Sequence, residues 1–358
     1  PEDALRVSLL PRTQATLSPL GLRIFGVYYT CQEILKMGWL HRGKDVSKPE
    51  SVEIAYDPAV ADVVYLLFIQ SIESIILGWG MSFGMISGNM DLSVAAETIL
   101  GTIVAAIAAK SFGIPGLVVG ALATTMVVGW LKSLVLRVIR TNSLVISIAY
   151  CLLLGALGAV VAQNKSLVIT SAQTILGKAP WNILIAVGLG ALMFYLHKYS
   201  VFGSNCRAVG GDAQLAKNAG IDKYKVYGKG FLVASFYAGF SAIISLSRGA
   251  GTAAATGLQS MTPIFSAMIG VFLGLMLTRW VNIVFGVISG ILTMNIIGYG
   301  LLALSVEPDI KNTITGAFLL TIMTIMAVRE RKAMEKVKRD LFNMQRVAKQ
   351  VQYVKQEE

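Results

Sequence analysis

Apolar runs long enough to cross a lipid bilayer recur along nearly the whole chain, and they constrain its fold more than any other feature. A helix of roughly 18 to 20 apolar residues spans the ~30 Å hydrocarbon core of a membrane. The runs therefore predict an all-α polytopic membrane protein with about ten transmembrane helices. The expected spans lie at 22–40, 62–87, 94–112, 115–136, 144–162, 181–197, 231–247, 262–277, 280–302 and 312–328.

The composition excludes an ordinary soluble protein. Hydrophobic residues make up 55% of the 358 residues and charged residues 14%, whereas soluble domains have about 25% charged residues. The net charge of +11 comes from juxtamembrane loops and the C-terminal tail. Basic residues in such places do not form the single basic face, interleaved with aromatic residues, that nucleic-acid binding requires.

The basic clusters indicate the orientation of the chain in the membrane. They comprise Arg137 with Arg140, the segment 198–229 and the segment 329–339. Short loops rich in Lys and Arg stay in the cytoplasm, so both termini are expected to be cytoplasmic. We expect an N-terminal segment with the first span at 1–60, a transmembrane domain at 61–328 and a charged helical tail at 329–358. The tail lies either on the inner leaflet or on a partner subunit.

No metal, nucleotide or catalytic motif is evident. The cysteines and histidines are scattered, with no CxxC or Cys/His spacing that would hold zinc: Cys31, Cys151, Cys206, His41 and His197. The segment 38–45 falls short of a phosphate-binding loop, because Asp45 stands where a hydroxyl should bind magnesium. We expect no metal, no cofactor and no enzymatic activity.

A polar, glycine-rich segment, Phe202–Ile221, interrupts two apolar runs. In a membrane protein such a segment lies in water, and an ordered one typically docks a partner. We expect a short amphipathic helix over 212–219, with Gly220 as its C-cap. Gly210 and Gly211 precede this helix and are expected to adopt a positive φ, which glycine does at little cost.

A second motif places polar residues at membrane depth after a run of small residues: Asn89, Asp91, Ser93 and Glu97. Irregular backbone at that depth must be buried in protein or line a wet cavity. Asp91 either caps the following helix or contacts substrate, and capping alone accounts for an Asp at this place. Glu97 either interacts with the helix N-terminus or contacts a hydroxylated substrate or a partner helix at a dimer seam.

Three motifs together resemble a known family. They are Gly88–Val94, Arg207–Ile221 and Asn295–Leu301, and their order and spacing over residues 60–328 are similar to those of the ribose and galactose permeases. These permeases are membrane subunits of carbohydrate-type ATP-binding-cassette importers. The resemblance implies a type II-like importer permease fold in the bacterial cytoplasmic (inner) membrane.

The resemblance also implies partners. Two copies of the chain, or the chain and a paralogue, would enclose a path for a monosaccharide or similar small hydroxylated solute. Two cytoplasmic ATPases, which bind ATP and magnesium, would grip the loop at 203–225, and an extracytoplasmic solute-binding protein would deliver the solute. The expected coupling residues are Gly203, Arg207, Ala208, Val209, Gly210, Gly211, Asp212, Ala216, Gly220 and Ile221. The expected path residues are Asn89, Asp91, Ser93, Glu97, Asn295 and Tyr299.

Some positions depart from the family pattern. Residues 258–266 lack the acids usual in the family, Asn89 replaces a glycine, and Glu73 and Glu97 place carboxylates inside spans. The identity of the solute therefore does not follow from the resemblance.

Two other classes compete with the importer. In a cation- or proton-coupled secondary transporter, a relay would run through Asp62, Glu73, Asp91 and Glu97. These acids show no evident Lys, Arg or His partner within the spans, and such a transporter has no need of the loop at 203–225. A membrane enzyme would need a clustered nucleophile, metal ligands or an acid–histidine pair, and the sequence shows none.

Overall fold

The computed structural model describes residues 12–18, 21–24, 27–29, 51–55, 62–163, 165–254, 262–278 and 280–303, followed by scattered helical positions between 310 and 339. The chain divides into two units, 1–308 and 309–358. The first unit contains a small sheet and a bundle of helices, and the described positions of the second are helical.

Four short antiparallel strands form the sheet: β1 (Arg12–Ser18), β2 (Gly21–Ile24), β3 (Val27–Tyr29) and β4 (Ser51–Ala55). Their order is β3-β2-β1-β4. The structure thus contradicts the expected first span at 22–40, because β2 and β3 occupy its first part. Arg23 and Gly26 interrupt the apolar run there, and Ile24, Val27, Tyr28 and Tyr29 beside them favour strands.

The described helices of the first unit carry most of its residues. They are α1 (Asp62–Ser87), α2 (Val94–Ile139), α3 (Ser143–Val161), α4 (Trp181–Lys198), α5 (Val201–Gly211), α6 (Ala213–Asn218), α7 (Lys223–Gly249), α8 (Thr262–Leu277) and α9 (Ile283–Ala303). A two-stranded ladder, β5 (Leu167–Val168) with β6 (Gly251–Thr252), and a 3-10 helix at Ser171–Gly177 complete the unit.

Six of the described helices are long and apolar enough to cross a membrane, namely α1, α2, α3, α4, α7 and α9, and α8 is a shorter apolar helix. The helices coincide closely with the expected spans between 62 and 302, except that α7 begins at Lys223 rather than at 231. The chain is thus a multi-pass, helical membrane protein. The expected number of about ten spans is not established.

Helix α2 is folded into two arms at Gly113. Gly113 has φ 64° and ψ −142°, and Pro115 follows it. An added Cβ at Gly120 would lie 3.2 Å from the Cα of Ala105 and 3.1 Å from the Cβ of Ala108, so the second arm runs back along the first. The expected pair of spans at 94–112 and 115–136 corresponds to these two arms.

Helix α7 packs against α1 and α2 through small residues. A Cβ on Gly129 of α2 would overlap the hydroxyl oxygen of Ser235, and a Cβ on Gly80 of α1 would lie 2.6 Å from the Cβ of Tyr237. Both positions therefore require glycine. Small residues allow helices to approach closely within a membrane. The buried Tyr237 hydroxyl donates to the carbonyl oxygen of Leu189 at 2.9 Å, which ties α7 to α4.

The second unit is helical at its described positions, from Ile310 to Arg339. Arg331 and Glu335 form an exposed i,i+4 ion pair with 3.5 Å between Nε and Oε1. The expected tenth span at 312–328 is described only in part. The expected tail at 329–358 lies almost wholly outside the described residues.

Candidate functional site

Helices α5 and α6 form a compact segment at one end of the bundle. Asp212 caps α6, because its Oδ1 accepts hydrogen bonds from the amides of Gln214 at 2.7 Å and Leu215 at 3.0 Å. At the other end of α6 the chain turns through Gly220, whose φ is +81°. The Ile221 amide donates to the carbonyl of Ala216 at 2.9 Å, as in a glycine C-cap. The predicted short helix with a glycine cap is confirmed.

The inner face of this segment is anchored in the helical core. Cys206, Val209 and Ala216 are buried there among side chains of α1 and α4. A Cβ on Gly210 would overlap the carbonyl oxygen of Ile86 at the end of α1, and a Cβ on Gly203 would overlap the carbonyl oxygen of Leu196. These glycines therefore permit close contact between α5 and the ends of α1 and α4.

The sequence-based reason for Gly210 and Gly211 is wrong. Both residues lie inside α5, and neither has a positive φ. Gly210 is needed because the Ile86 carbonyl lies against it, whereas a Cβ on Gly211 would meet nothing within 4 Å. The two glycines therefore have different roles.

Arg207 fixes the segment to the end of α4, because its Nη1 donates to the carbonyl oxygen of His197 at 2.5 Å. Burial raises the pKa of the neighbouring Cys206 thiol to about 12, against a smaller opposing effect of the Arg207 charge. The Cys206 thiol is therefore protonated at neutral pH and is not a reactive nucleophile.

The outer face of the segment is open. Leu215 is 66% exposed, and Ala208, Gly211 and Asp212 are also exposed. Gln214 and Lys217, on the same helix as Leu215, line a groove of about 490 Å³ between α6, the start of α7 and the end of α2. Three of its lining side chains are basic, namely Arg140, Lys217 and Lys223. An exposed leucine and a groove with three basic side chains together suit a protein partner with an acidic surface.

A second group of predicted site residues meets at a lysine that the sequence-based reasoning missed. Lys132, on the second arm of α2, is fully buried. Its Nζ donates to Asp91 Oδ2 at 2.9 Å, to Ser93 Oγ at 3.0 Å and to Glu97 Oε2 at 2.5 Å. We call Lys132, Asp91, Ser93 and Glu97 the sealed cluster, because each is at most 8% exposed.

The sealed cluster revises the expectations for its acids. Asp91 Oδ1 accepts hydrogen bonds from the Ser93 backbone amide at 2.9 Å and from the Ser93 hydroxyl at 2.6 Å. Asp91 therefore binds the residue that precedes α2, and it also pairs with Lys132. Glu97 lies in the first turn of α2, as one interpretation proposed. The statement that these acids lack a basic partner is wrong, because both pair with Lys132.

Asn89 lies in the turn between α1 and α2, where Gly88 has a φ of +77°. The backbone amide of Asn89 donates to the carbonyl oxygen of Gly84 at 2.8 Å. Its side chain is buried, and neither polar atom of the carboxamide has a partner in the described part of the chain.

The remaining predicted path residues lie elsewhere, in a group that includes an ion pair. Arg248, in the last turn of α7, places Nη2 2.5 Å from Glu73 Oε2 of α1. On α9, Asn295 Nδ2 donates to Ser71 Oγ at 2.9 Å, and Tyr299 lies one turn further along the same face of that helix. We call Glu73, Arg248, Asn295 and Tyr299 the open cluster, since Arg248 is 33% and Glu73 23% exposed.

The structure thus divides the six predicted path residues instead of bringing them together. Asp91, Ser93 and Glu97 belong to the sealed cluster. Asn89 is buried and lies two residues before Asp91 in the sequence. Asn295 and Tyr299 belong to the open cluster. The sequence contained one signal for Lys132. Gly113 and Pro115 lie midway between Glu97 and Lys132, so a turn there brings the two side chains together.

Comparison with known proteins adds independent findings. Residues 64–327 match the family described as branched-chain amino acid transport system / permease component. The sheet β1–β4 lies wholly ahead of this match. No solved structure matches the chain at a significant level.

Three relatives match at different lengths. The galactose/methyl galactoside import permease protein MglC of Haemophilus influenzae is 21% identical, over 78% of this chain and 91% of its own length. The L-arabinose ABC transporter permease protein AraH of Azospirillum brasilense is 27% identical, over 71% of this chain and 77% of its own length. The transposon Tn7 transposition protein TnsB of Escherichia coli is 45% identical over 65 residues, which are 18% of this chain and 9% of that protein.

Proposed function

The chain belongs to the family of branched-chain amino acid transport system permease components, and on that premise we propose that it is the membrane subunit of an ATP-driven sugar importer. The solute is a monosaccharide or a similar small hydroxylated molecule. Two relatives match over most of their own length, and they are a galactose/methyl galactoside import permease and an L-arabinose ABC transporter permease. Their names support a sugar as the solute rather than an amino acid.

The observation that carries this proposal is the α5–α6 segment. Its inner face is packed against the ends of α1 and α4, and its outer face presents Leu215 and a basic groove. A partner that moves this rigid segment also moves the helices to which it is packed, because tight packing transmits displacement. The segment is thus suited to couple an ATPase to the transmembrane helices.

In this proposal the α5–α6 end faces the cytoplasm, and the chain lies in the bacterial inner membrane with both termini inside. Its partners are an ATP-binding-cassette ATPase, an extracytoplasmic solute-binding protein and a second copy of the chain or a paralogue. ATP and magnesium are bound by the ATPase. A secondary transporter is less well supported, because it has no ATPase subunit that would bind the α5–α6 segment.

The function is tested by ATP-dependent uptake in proteoliposomes. The chain is co-expressed with the ATPase and the solute-binding protein encoded in its own gene neighbourhood, and uptake of radiolabelled D-galactose and L-arabinose is measured with and without ATP. We expect ATP to drive uptake of at least one sugar. Uptake that follows an imposed proton or sodium gradient, and ignores ATP, would favour the secondary transporter.

The docking surface is tested by Leu215→Glu. A charge in place of a central apolar anchor should reduce co-purification of the ATPase by about tenfold or more. The matched control is Val168→Glu, which makes the same kind of change at a side chain that is 57% exposed in β5. Wild-type ATPase recovery with Leu215→Glu would show that α6 is not the docking surface.

The anchoring of the segment is tested by replacing its two glycines separately. Gly210→Val should displace α5 from α1, because its side chain would overlap the Ile86 carbonyl, and the melting temperature of the purified protein should fall. Gly211→Val should leave the melting temperature unchanged, since a Cβ there meets no atom within 4 Å. Equal melting temperatures for the two variants would contradict the close contact at Gly210.

A further inference from the structure

The open cluster is distant from α5 and α6 along the helices of the bundle. Gly210 of α5 touches Ile86, close to the last residue of α1, whereas Glu73 lies about 20 Å further along that helix. Arg248 likewise lies in the last turn of α7, and the first turn of α7 follows α6. The open cluster therefore lies near the last turn of α7 and about halfway along α1 and α9.

The polar groups of the open cluster are only partly used by the protein. Arg248 donates from Nη1 to the carbonyl oxygen of Gln70 at 2.6 Å and from Nη2 to Glu73 Oε2. A guanidinium has five N–H donors, so within the described residues three remain available. Glu73 Oε1 and the Tyr299 hydroxyl likewise have no hydrogen-bond partner in that part of the chain.

The Arg248–Glu73 ion pair lies within apolar helices and is only partly buried. Ionisable side chains within transmembrane helices are costly, and they typically line a solute path or a water-filled cavity. Arg248 and Glu73 keep 33% and 23% of their side chains exposed, so part of the ion pair is not covered by the described residues. The sealed cluster, in contrast, leaves no side chain open to a solute.

The chemistry of the open cluster matches a polyhydroxylated solute. A hydroxyl group both donates and accepts, and a carboxylate beside a guanidinium offers one strong acceptor and several strong donors. The amide of Asn295 and the phenol of Tyr299 add neutral groups of both kinds. The charges of Arg248 and Glu73 cancel, so the cluster has no net attraction for an ion.

We propose that Glu73, Arg248, Asn295 and Tyr299 form the contact site for the hydroxyl groups of the solute, at a part of the path distant from α5 and α6. This inference rests on the proposed function and specifies where the solute is recognised. It replaces the earlier grouping of path residues, because Asp91, Ser93 and Glu97 are taken up by Lys132 inside the protein.

The first experiment compares single variants with a charge exchange. Glu73→Gln and Arg248→Gln should each raise the galactose or arabinose concentration for half-maximal uptake by about tenfold or more, with unchanged co-purification of the ATPase. The double variant Glu73→Arg, Arg248→Glu restores an ion pair but exchanges its donors and acceptors. We expect it to remain impaired.

The matched control is Lys178→Gln, which removes an exposed positive charge close to Gly177, a residue that contacts the backbone of Arg248. Its half-maximal concentration should equal that of the wild type. Recovery of wild-type uptake by the charge exchange would overturn the proposal, because it would show that only the ion pair matters. Wild-type behaviour of both single variants would overturn it as well.

A second experiment does not depend on transport. Gln70→Cys is introduced with Cys31→Ser, which leaves Cys151 and Cys206 as buried thiols, and the purified protein is labelled with a water-soluble maleimide. Galactose or arabinose at millimolar concentration should slow labelling several-fold, and sodium chloride should not. Protection without ATP-driven uptake would uphold this site and overturn the proposed function, whereas uptake without protection would overturn the site alone.

Discussion

The two charged clusters differ in what they leave for a ligand. In the sealed cluster, Lys132 donates to three side-chain oxygens and is fully buried, and Asp91 and Glu97 are buried with it. In the open cluster, the Arg248–Glu73 pair is partly exposed and most of its donors are unused among the described residues. Both place opposite charges inside a helical bundle, so the degree of burial separates a structural ion pair from the proposed solute site.

The sealed cluster also joins more of the chain than the open one. Asp91 precedes α2, Glu97 lies on the first arm of α2 and Lys132 on the second arm. The Lys132 ammonium lies 5.3 Å from the ring centre of Phe231, which adds α7 to the assembly. One side chain thus holds the turn after α1, both arms of α2 and α7 together.

The largest effect is expected from Lys132→Met. Removing the ammonium leaves two buried carboxylates without a counter-charge, and breaking a buried ion pair in this way costs about 3–5 kcal/mol. The control is Lys110→Met, which makes the same change at an exposed position of the same helix. Membrane abundance and the melting temperature in detergent should fall sharply for Lys132→Met only. Equal values for both variants would show that the cluster does not stabilise the fold.

A smaller effect should distinguish the two acids of the sealed cluster. Asp91 accepts from Lys132, the Ser93 amide and the Ser93 hydroxyl, whereas Glu97 accepts from Lys132 alone and its Oε1 has no partner in the described structure. Asp91→Asn should therefore cost about 1–3 kcal/mol of unfolding free energy. Glu97→Gln should cost less, because the amide keeps the Lys132 contact and removes an excess negative charge.

The Glu97→Gln variant also tests whether this residue recognises the solute. Sugar uptake by the variant, at limiting and at saturating solute, should match that of the wild type. A large rise in the half-maximal concentration would return Glu97 to the solute path and remove the distinction between the two clusters.

The smallest effect on stability is expected from Glu73→Gln. Partly exposed ion pairs contribute about 0–1 kcal/mol, so the melting temperature should stay close to that of the wild type while solute affinity falls. Thermal unfolding followed by tryptophan fluorescence provides the measurement. A loss of stability comparable to that of Lys132→Met would make the open cluster a second structural ion pair.

The spans between 62 and 302 could be predicted from the sequence because bilayer thickness sets the length of an apolar run. The caps of α6 could be predicted too, since Asp212 and Gly220 act on neighbouring residues. The sheet β1–β4 was missed because its strands are too short to give a clear pattern, and a hydropathy argument reads their Val, Ile and Tyr residues as part of a span.

The partners of the charged residues could not be predicted in the same way. Arg248 and Glu73 are separated by 175 residues, and only the packing of α7 on α1 brings them together. Gly210 and Ile86 are also far apart in sequence, so the sequence suggested a positive φ for a glycine that is needed for steric reasons. Local patterns predict helices and caps, whereas contacts between helices depend on how the bundle packs.

The turn at Gly113 has a consequence for biogenesis. A lysine at the centre of a lone helix opposes membrane insertion by about 2.5–3.5 kcal/mol. Because Gly113 folds α2 back on itself, Lys132 and Glu97 lie side by side within one helical hairpin. The hairpin can leave the translocon as a unit in which the two charges already neutralise each other, so the second arm need not enter the lipid alone.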